Sequence, residues 1–88
     1  MQALLIVVKG RVQGIGFRAS IKRMADPLKI TGYAKNLSCG DVEILAIGEK
    51  RHLDALTQLI HEKFQSSIQV LNVKEVHPQS IFKDFVML

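Results

Sequence analysis

The chain has 88 residues and a formal charge of +4 from 12 basic and 8 acidic side chains, which leaves room for one compact domain, residues 1–88, and none for a separate cofactor domain. A domain this small buries only about 60–65% of the surface its unfolded chain exposes. Cys39 is the one cysteine, so no internal disulfide or paired-thiol zinc site can help and stability rests on the 48% of residues that are apolar. A pI near 9.5 favours anionic partners in general, but the basic residues are spread from Lys9 to Lys83 with no run of three, the pattern of a solvated basic surface.

Residues 3–8, Ala-Leu-Leu-Ile-Val-Val, are continuous and apolar, which predicts a strand that is central or buried on both faces. Six residues without a basic leader are too few for a signal or a membrane span, so the expected setting is the cytoplasm, with no membrane partner. Gly10, Gly14 and Gly16 then punctuate a tight loop. Phe17, Ile21, Met24, Ala25 and Leu28 recur at helical spacing, and Pro27 ends or distorts that helix at Asp26. Alternation of Ile30, Gly32, Ala34 and Asn36 with Thr31, Tyr33 and Lys35 predicts a second strand. Turn residues 38–41 and the alternating Val42, Ile44 and Ala46 add a hairpin partner that closes at Gly48. Leu53, Leu56, Ile60 and Phe64 mark a second amphipathic helix, residues 68–76 a fourth strand, and residues 81–87 a short final one. The order βαββαβ predicts an α+β fold of the ferredoxin-like type, a two-layer sandwich with two helices on one face of an antiparallel sheet. That architecture serves many functions and decides none.

The run Gly10-Arg11-Val12-Gln13-Gly14-Ile15-Gly16-Phe17-Arg18 admits three phosphate-binding readings. A Walker A loop needs Lys then Ser or Thr after its last glycine, where Phe17 and Arg18 stand. Gly14, Gly16 and Ala19 fit a dinucleotide fingerprint, but the second strand ends in Lys35-Asn36 instead of an acid for the ribose, and the following hairpin is antiparallel. An anion cradle remains, with backbone N–H groups from Val12 onward converging at the helix start. Arg18 supports it, since a cation in the first turn opposes the helix dipole unless an anion sits there, and a guanidinium grips phosphate oxygens in a fork. From the residues alone, a plain strand-to-helix turn with a solvated Arg18 stays open beside the cradle.

The same run closely resembles the phosphate loop of the acylphosphatase family, G-x-V-Q-G-V-G-F-R, with Ile15 in place of valine. Thr31-Gly32-Tyr33-Ala34-Lys35-Asn36-Leu37, followed by Gly40-Asp41-Val42-Glu43, is similar to the family's second motif, and the likeness weakens after Gly48 before returning in residues 82–87. The resemblance implies a metal-free enzyme without cofactor, hydrolysing small-molecule acyl phosphates to carboxylate and inorganic phosphate, and a chain that ends at Leu88 is expected to be free-standing. It implies that Val12, Gln13, Gly14, Ile15, Gly16, Phe17 and Arg18 hold the phosphoryl group, and that Arg18 and Asn36 are catalytic, Asn36 by orienting water. A carboxylate leaves without being protonated, so such a reaction needs positioning and charge neutralisation more than a general acid. Pro27 and Lys29 depart from the family's helix end and glycine turn, Cys39 stands where aspartate is common, and residues 86–88 lack the usual polar terminus.

The nearest two of His52, His61 and His77 are nine residues apart on one helix, which does not match zinc spacing, so they are expected at the surface. Gln13 is expected to fix loop shape, Phe17 to enter the core, and Tyr33 either to wall the substrate site or to pack. An RNA-binding domain of the same element order needs stacking aromatics on its central strands. The first and third strands have none, so nucleic acid is not an expected partner, although this and a non-catalytic anion-binding domain are the alternatives. A monomer is expected.

Overall fold

The computed structural model describes residues 1–78 and 80–88. Strand β1 (Gln2–Gly10), helix α1 (Phe17–Ala25), strands β2 (Thr31–Asn36) and β3 (Val42–Gly48), helix α2 (Lys50–Phe64) and strands β4 (Ile68–Glu75) and β5 (Phe85–Met87) follow in chain order. The sheet order is β4-β1-β3-β2-β5. β1 pairs antiparallel with β3 and β4, and β2 with β3. The expected antiparallel sheet is corrected at one edge: β5 runs parallel to β2, with Gly32 opposite Phe85 and Ala34 opposite Met87. The chain leaves β4 at one edge of the sheet and returns at the opposite edge, and that crossing lets β5 take its parallel direction.

Period-two alternation places the core on one face. Ile6 and Val8 of β1, Val42, Ile44 and Ala46 of β3, Ala34 of β2 and Phe85 of β5 meet Phe17, Ile21 and Ala25 of α1 and Leu53, Leu56, Ile60 and Phe64 of α2. The Phe17 and Phe64 rings join the helices edge to face, with centroids 4.6 Å apart, a contact worth about 0.5–1.5 kcal/mol beyond area burial. β1 is paired on both sides, as expected of a central strand; Ile6 and Val8 on its helix-facing row are fully buried, while Leu5 and Val7 on the other row are half-buried.

α1 closes at Ala25, with Asp26 as its C-cap before Pro27. The exit turn is made by Leu28 and Ile30 N–H groups donating to the Ala25 carbonyl and Lys29 N–H donating to Asp26. It forces exposed Lys29 to φ +57°, the one non-glycine residue with positive φ among those described. A left-handed backbone costs an L-residue about 1–2 kcal/mol.

Tyr33 lies on the sheet face away from the helices, its hydroxyl donating to Glu43 Oε2 at 2.6 Å and its ring 5.8 Å from that of Phe82. It is a packing residue of the open face. Burial first, then the hydrogen bond to Glu43 and its charge, push the phenol from 10.0 up to about 12.

Two outcomes are expected. Replacing Lys29 by glycine removes the left-handed strain against a smaller loss of chain entropy and raises stability by about 1 kcal/mol, read as an increase in Tm of about 4–8 °C. The folded chain holds the Tyr33 proton more tightly than the unfolded chain, so that contribution is full below pH 10 and disappears as pH rises toward about 12. The stability difference between wild type and Tyr33→Phe, measured by denaturant titration, therefore shrinks over that interval; a constant difference would contradict the assignment.

Candidate active site

Because β1 and β2 are both antiparallel to β3, and β5 is parallel to β2, these three strands run the same way. Gly10, Asn36 and Met87, their last residues, consequently lie at one end of the sheet. The loop of residues 11–16 leaves β1 at this end and delivers the start of α1 to it.

Within the loop, Val12 is buried in the core and anchors the turn, while residues 13–16 are exposed. Gly14 and Gly16 have φ of +80° and +76°, and a Cβ at either would meet nothing within 4 Å. Backbone angle, not lack of space, is what these two positions require. Gly16 is the N-cap of α1; the helix has no side-chain cap and no acid in its first turn. Its first-turn N–H groups and the positive end of its dipole are left for an anion.

Gln13 holds the loop from outside, its Nε2 donating to the Leu37 and Asp41 carbonyls at 2.9 Å each. The expected shape-fixing role has a specific partner, the turn between β2 and β3. That turn is closed by Leu37 N–H donating to Asp41 and Gly40 N–H donating to Leu37.

Val12, Gly14, Gly16, Phe17, Arg18, Ala19, Asn36 and Met87 line one cleft of about 230 Å³. The expected residues are therefore largely brought together. Phe17 and Val12 bury their side chains and can offer an anion only backbone. Gln13 faces the hairpin turn, and Ile15 is half exposed on the loop; neither lines the cleft. Arg18, the one ionisable side chain of the lining, donates from Nη1 to the main-chain oxygen of Leu88 at 2.6 Å. Asn36 joins it from the end of β2. With no carboxylate or imidazole in the lining, the cleft can hold and neutralise an anion and orient a water, but has no general acid or base.

Two contributors were not legible beforehand. Met87 enters the lining and Leu88 supplies the oxygen that meets Arg18, both because β5 runs beside β2. The alternation of Phe85 and Met87 hints at a shared face, but nothing local shows which strand they join. Cys39 is an exposed thiol on the turn, His61 and His77 are exposed and His52 is half-buried, none of them in the cleft. Among the described residues no group of three His, Cys, Asp or Glu side chains is placed to hold a metal ion, and no helix is long and apolar enough to cross a membrane.

Comparison with known proteins agrees with this geometry. The family model described as acylphosphatase matches residues 4–87. An acylphosphatase of Methanospirillum hungatei is 41% identical over 86 residues, covering 93% of this chain and 94% of the relative. The crystal structure of acylphosphatase from Bacillus subtilis superposes with a TM-score of 0.91 at 33% identity, over 100% of this chain and 99% of that one. The T. kodakarensis HypF structure matches with a TM-score of 0.87 at 31% identity, over 100% of this chain but only 12% of HypF. A motif-bearing loop in the right place, a fold that superposes along its whole length and a family match over nearly every residue lead to one conclusion: the chain belongs to the acylphosphatase family.

Proposed function

We propose that this chain hydrolyses the carboxyl–phosphate anhydride of acyl phosphates, with the phosphoryl group held by the residue 12–18 amides and Arg18, and the attacking water oriented by Asn36. The observation that carries the proposal is that Arg18 and Asn36, from different elements, line the same cleft as the left-handed glycines. In the reaction a P–O bond forms to water as the P–O bond to the carboxylate breaks. The carboxylate departs with the electron pair, and the water proton passes to a phosphoryl oxygen, because no side chain of the lining is basic enough to take it. What the protein contributes is orientation and charge: oriented N–H dipoles and one guanidinium around oxygens that carry negative charge throughout.

The match to family and to relatives along nearly the whole of residues 1–88 supports reading them as a single acylphosphatase-like domain. The proposal also includes a monomer working in the cytoplasm without metal, cofactor or nucleic acid. Against an RNA-binding sheet, the aromatic ring on β2, Tyr33, is tied to Glu43, so an acid stands where a nucleic acid would have to lie. A non-hydrolysing anion binder is separated from the enzyme only by turnover.

The test is benzoyl phosphate hydrolysis with EDTA present. Wild type is expected to turn over, with no side-chain ionisation step in the rate across neutral pH. Arg18→Ala should lose about 10²–10³ in kcat/KM and with it phosphate inhibition, whereas Asn36→Ala should lose a similar factor mainly in kcat, with phosphate inhibition retained. Gln13→Ala, lacking two hydrogen bonds worth about 0.5–1.5 kcal/mol each, should loosen the loop and cost about tenfold in kcat/KM with the fold intact by circular dichroism. A folded wild type no faster than buffer would leave an anion-binding domain.

A further inference from the structure

The loop amides and Arg18 serve the phosphate side of the cleft; the acyl side needs a different partner. The loop and Arg18 address an anion, yet a substrate of the proposed class has a carbon end that must leave the cleft past whatever borders it. At that border stands Met87, a lining residue that is 49% exposed. An isolated exposed methionine on a surface would mean little. This one is fixed in position by the main chain on both sides. Lys22 Nζ donates to the Phe85 carbonyl at 2.8 Å, Arg18 Nη1 to the Leu88 oxygen at 2.6 Å, and Leu88 N–H to the Ala34 carbonyl at 2.9 Å. Phe85 and Met87 lie on one face of β5, so the row that begins with a buried phenylalanine ends with an apolar side chain half in solvent at the mouth of the cleft.

We propose that Met87 is a specificity-determining residue, an apolar platform for the acyl group that favours aromatic and branched acyl phosphates over acetyl phosphate. This rests on the acyl phosphate reading of the cleft. The chemistry is that of a flexible, polarisable thioether side chain, which adapts to flat or irregular apolar groups and makes favourable contact with aromatic rings. With no acid in the lining, an apolar acyl group meets no carboxylate there that it would have to desolvate.

The test uses two phosphonates that cannot be hydrolysed because a methylene replaces the bridging oxygen: 2-oxo-2-phenylethylphosphonate for an aromatic acyl phosphate and 2-oxopropylphosphonate for acetyl phosphate. Binding to the full chain is measured by calorimetry for wild type, Met87→Gln and Met87→Leu. Wild type is expected to prefer the phenyl ligand. Met87→Gln, similar in length but polar, should cut that preference by about threefold to tenfold, and Met87→Leu should restore most of it. Equal affinities in wild type, a preference unchanged in Met87→Gln, or a loss of equal factor for both ligands would overturn the proposal, the last by showing that Met87 only supports the phosphate site. Binding does not depend on turnover. A wild type that shows the preference but fails to hydrolyse benzoyl phosphate would sink the hydrolytic reading and keep the platform, and one that hydrolyses without preference would do the reverse.

Discussion

The site depends on a chain reversal that only two left-handed glycines permit. Between the end of β1 and the start of α1 the backbone must turn so that successive N–H groups point at one spot, and Gly14 and Gly16 supply the angles. Once that turn is made, Val12 and Phe17 fall into the core on either side of it and fix its depth. The helix that follows begins with its donors uncapped and a cation in its first turn. In a protein with no anion to bind, that arrangement would be electrostatically unfavourable; with one, the dipole, the amides and the guanidinium act together. The contact between Arg18 and Leu88 uses part of the guanidinium, which has five N–H donors, and holds the side chain over the cleft.

The remaining architecture serves to bring separate pieces to that turn. A crossover through α1 places β2 parallel in direction to β1 with β3 between them, so Asn36 arrives at the same end of the sheet as the loop. β5 repeats the device at the sheet edge. Two side chains of α1, Arg18 and Lys22, each reach a main-chain oxygen of the last residues and secure a strand too short to hold itself by ladder bonds alone. The loop is thus braced from the hairpin by Gln13 while the helix that follows it braces the final strand.

Much of this was legible in the sequence, for identifiable reasons. The glycine spacing, the helical recurrence of Phe17, Ile21 and Ala25, and the alternation of Val42, Ile44 and Ala46 in β3 and of its partner β2 are local patterns, and local patterns survive folding. The resemblance in two motifs added Asn36, whose role no local rule would have suggested. What could not be read depends on contacts between residues distant in the chain. The partners of Gln13 lie 24 and 28 positions away and that of Arg18 lies 70 away. The parallel direction of β5, and with it the place of Met87, follows from which sheet edge the chain returns to. Tyr33 belongs to the same class, since alternation puts it opposite Asn36 in facing but not beside Glu43 and Phe82. Lys29 was visible as a departure from a glycine turn, and the positive φ it tolerates shows why glycine suits that position.

The Gln13 tie has an evolutionary corollary. Both of its acceptors are backbone carbonyls, at Leu37 and Asp41, so the tie reads the length and shape of the hairpin turn and not its side chains. Single replacements that leave the turn's backbone unchanged, at Cys39 for example but not at Gly40 with its φ of +97°, are then free to drift without reaching the loop. An inserted or deleted residue there would displace one carbonyl relative to the other, and selection should tolerate new letters in that turn far more readily than a change in their number.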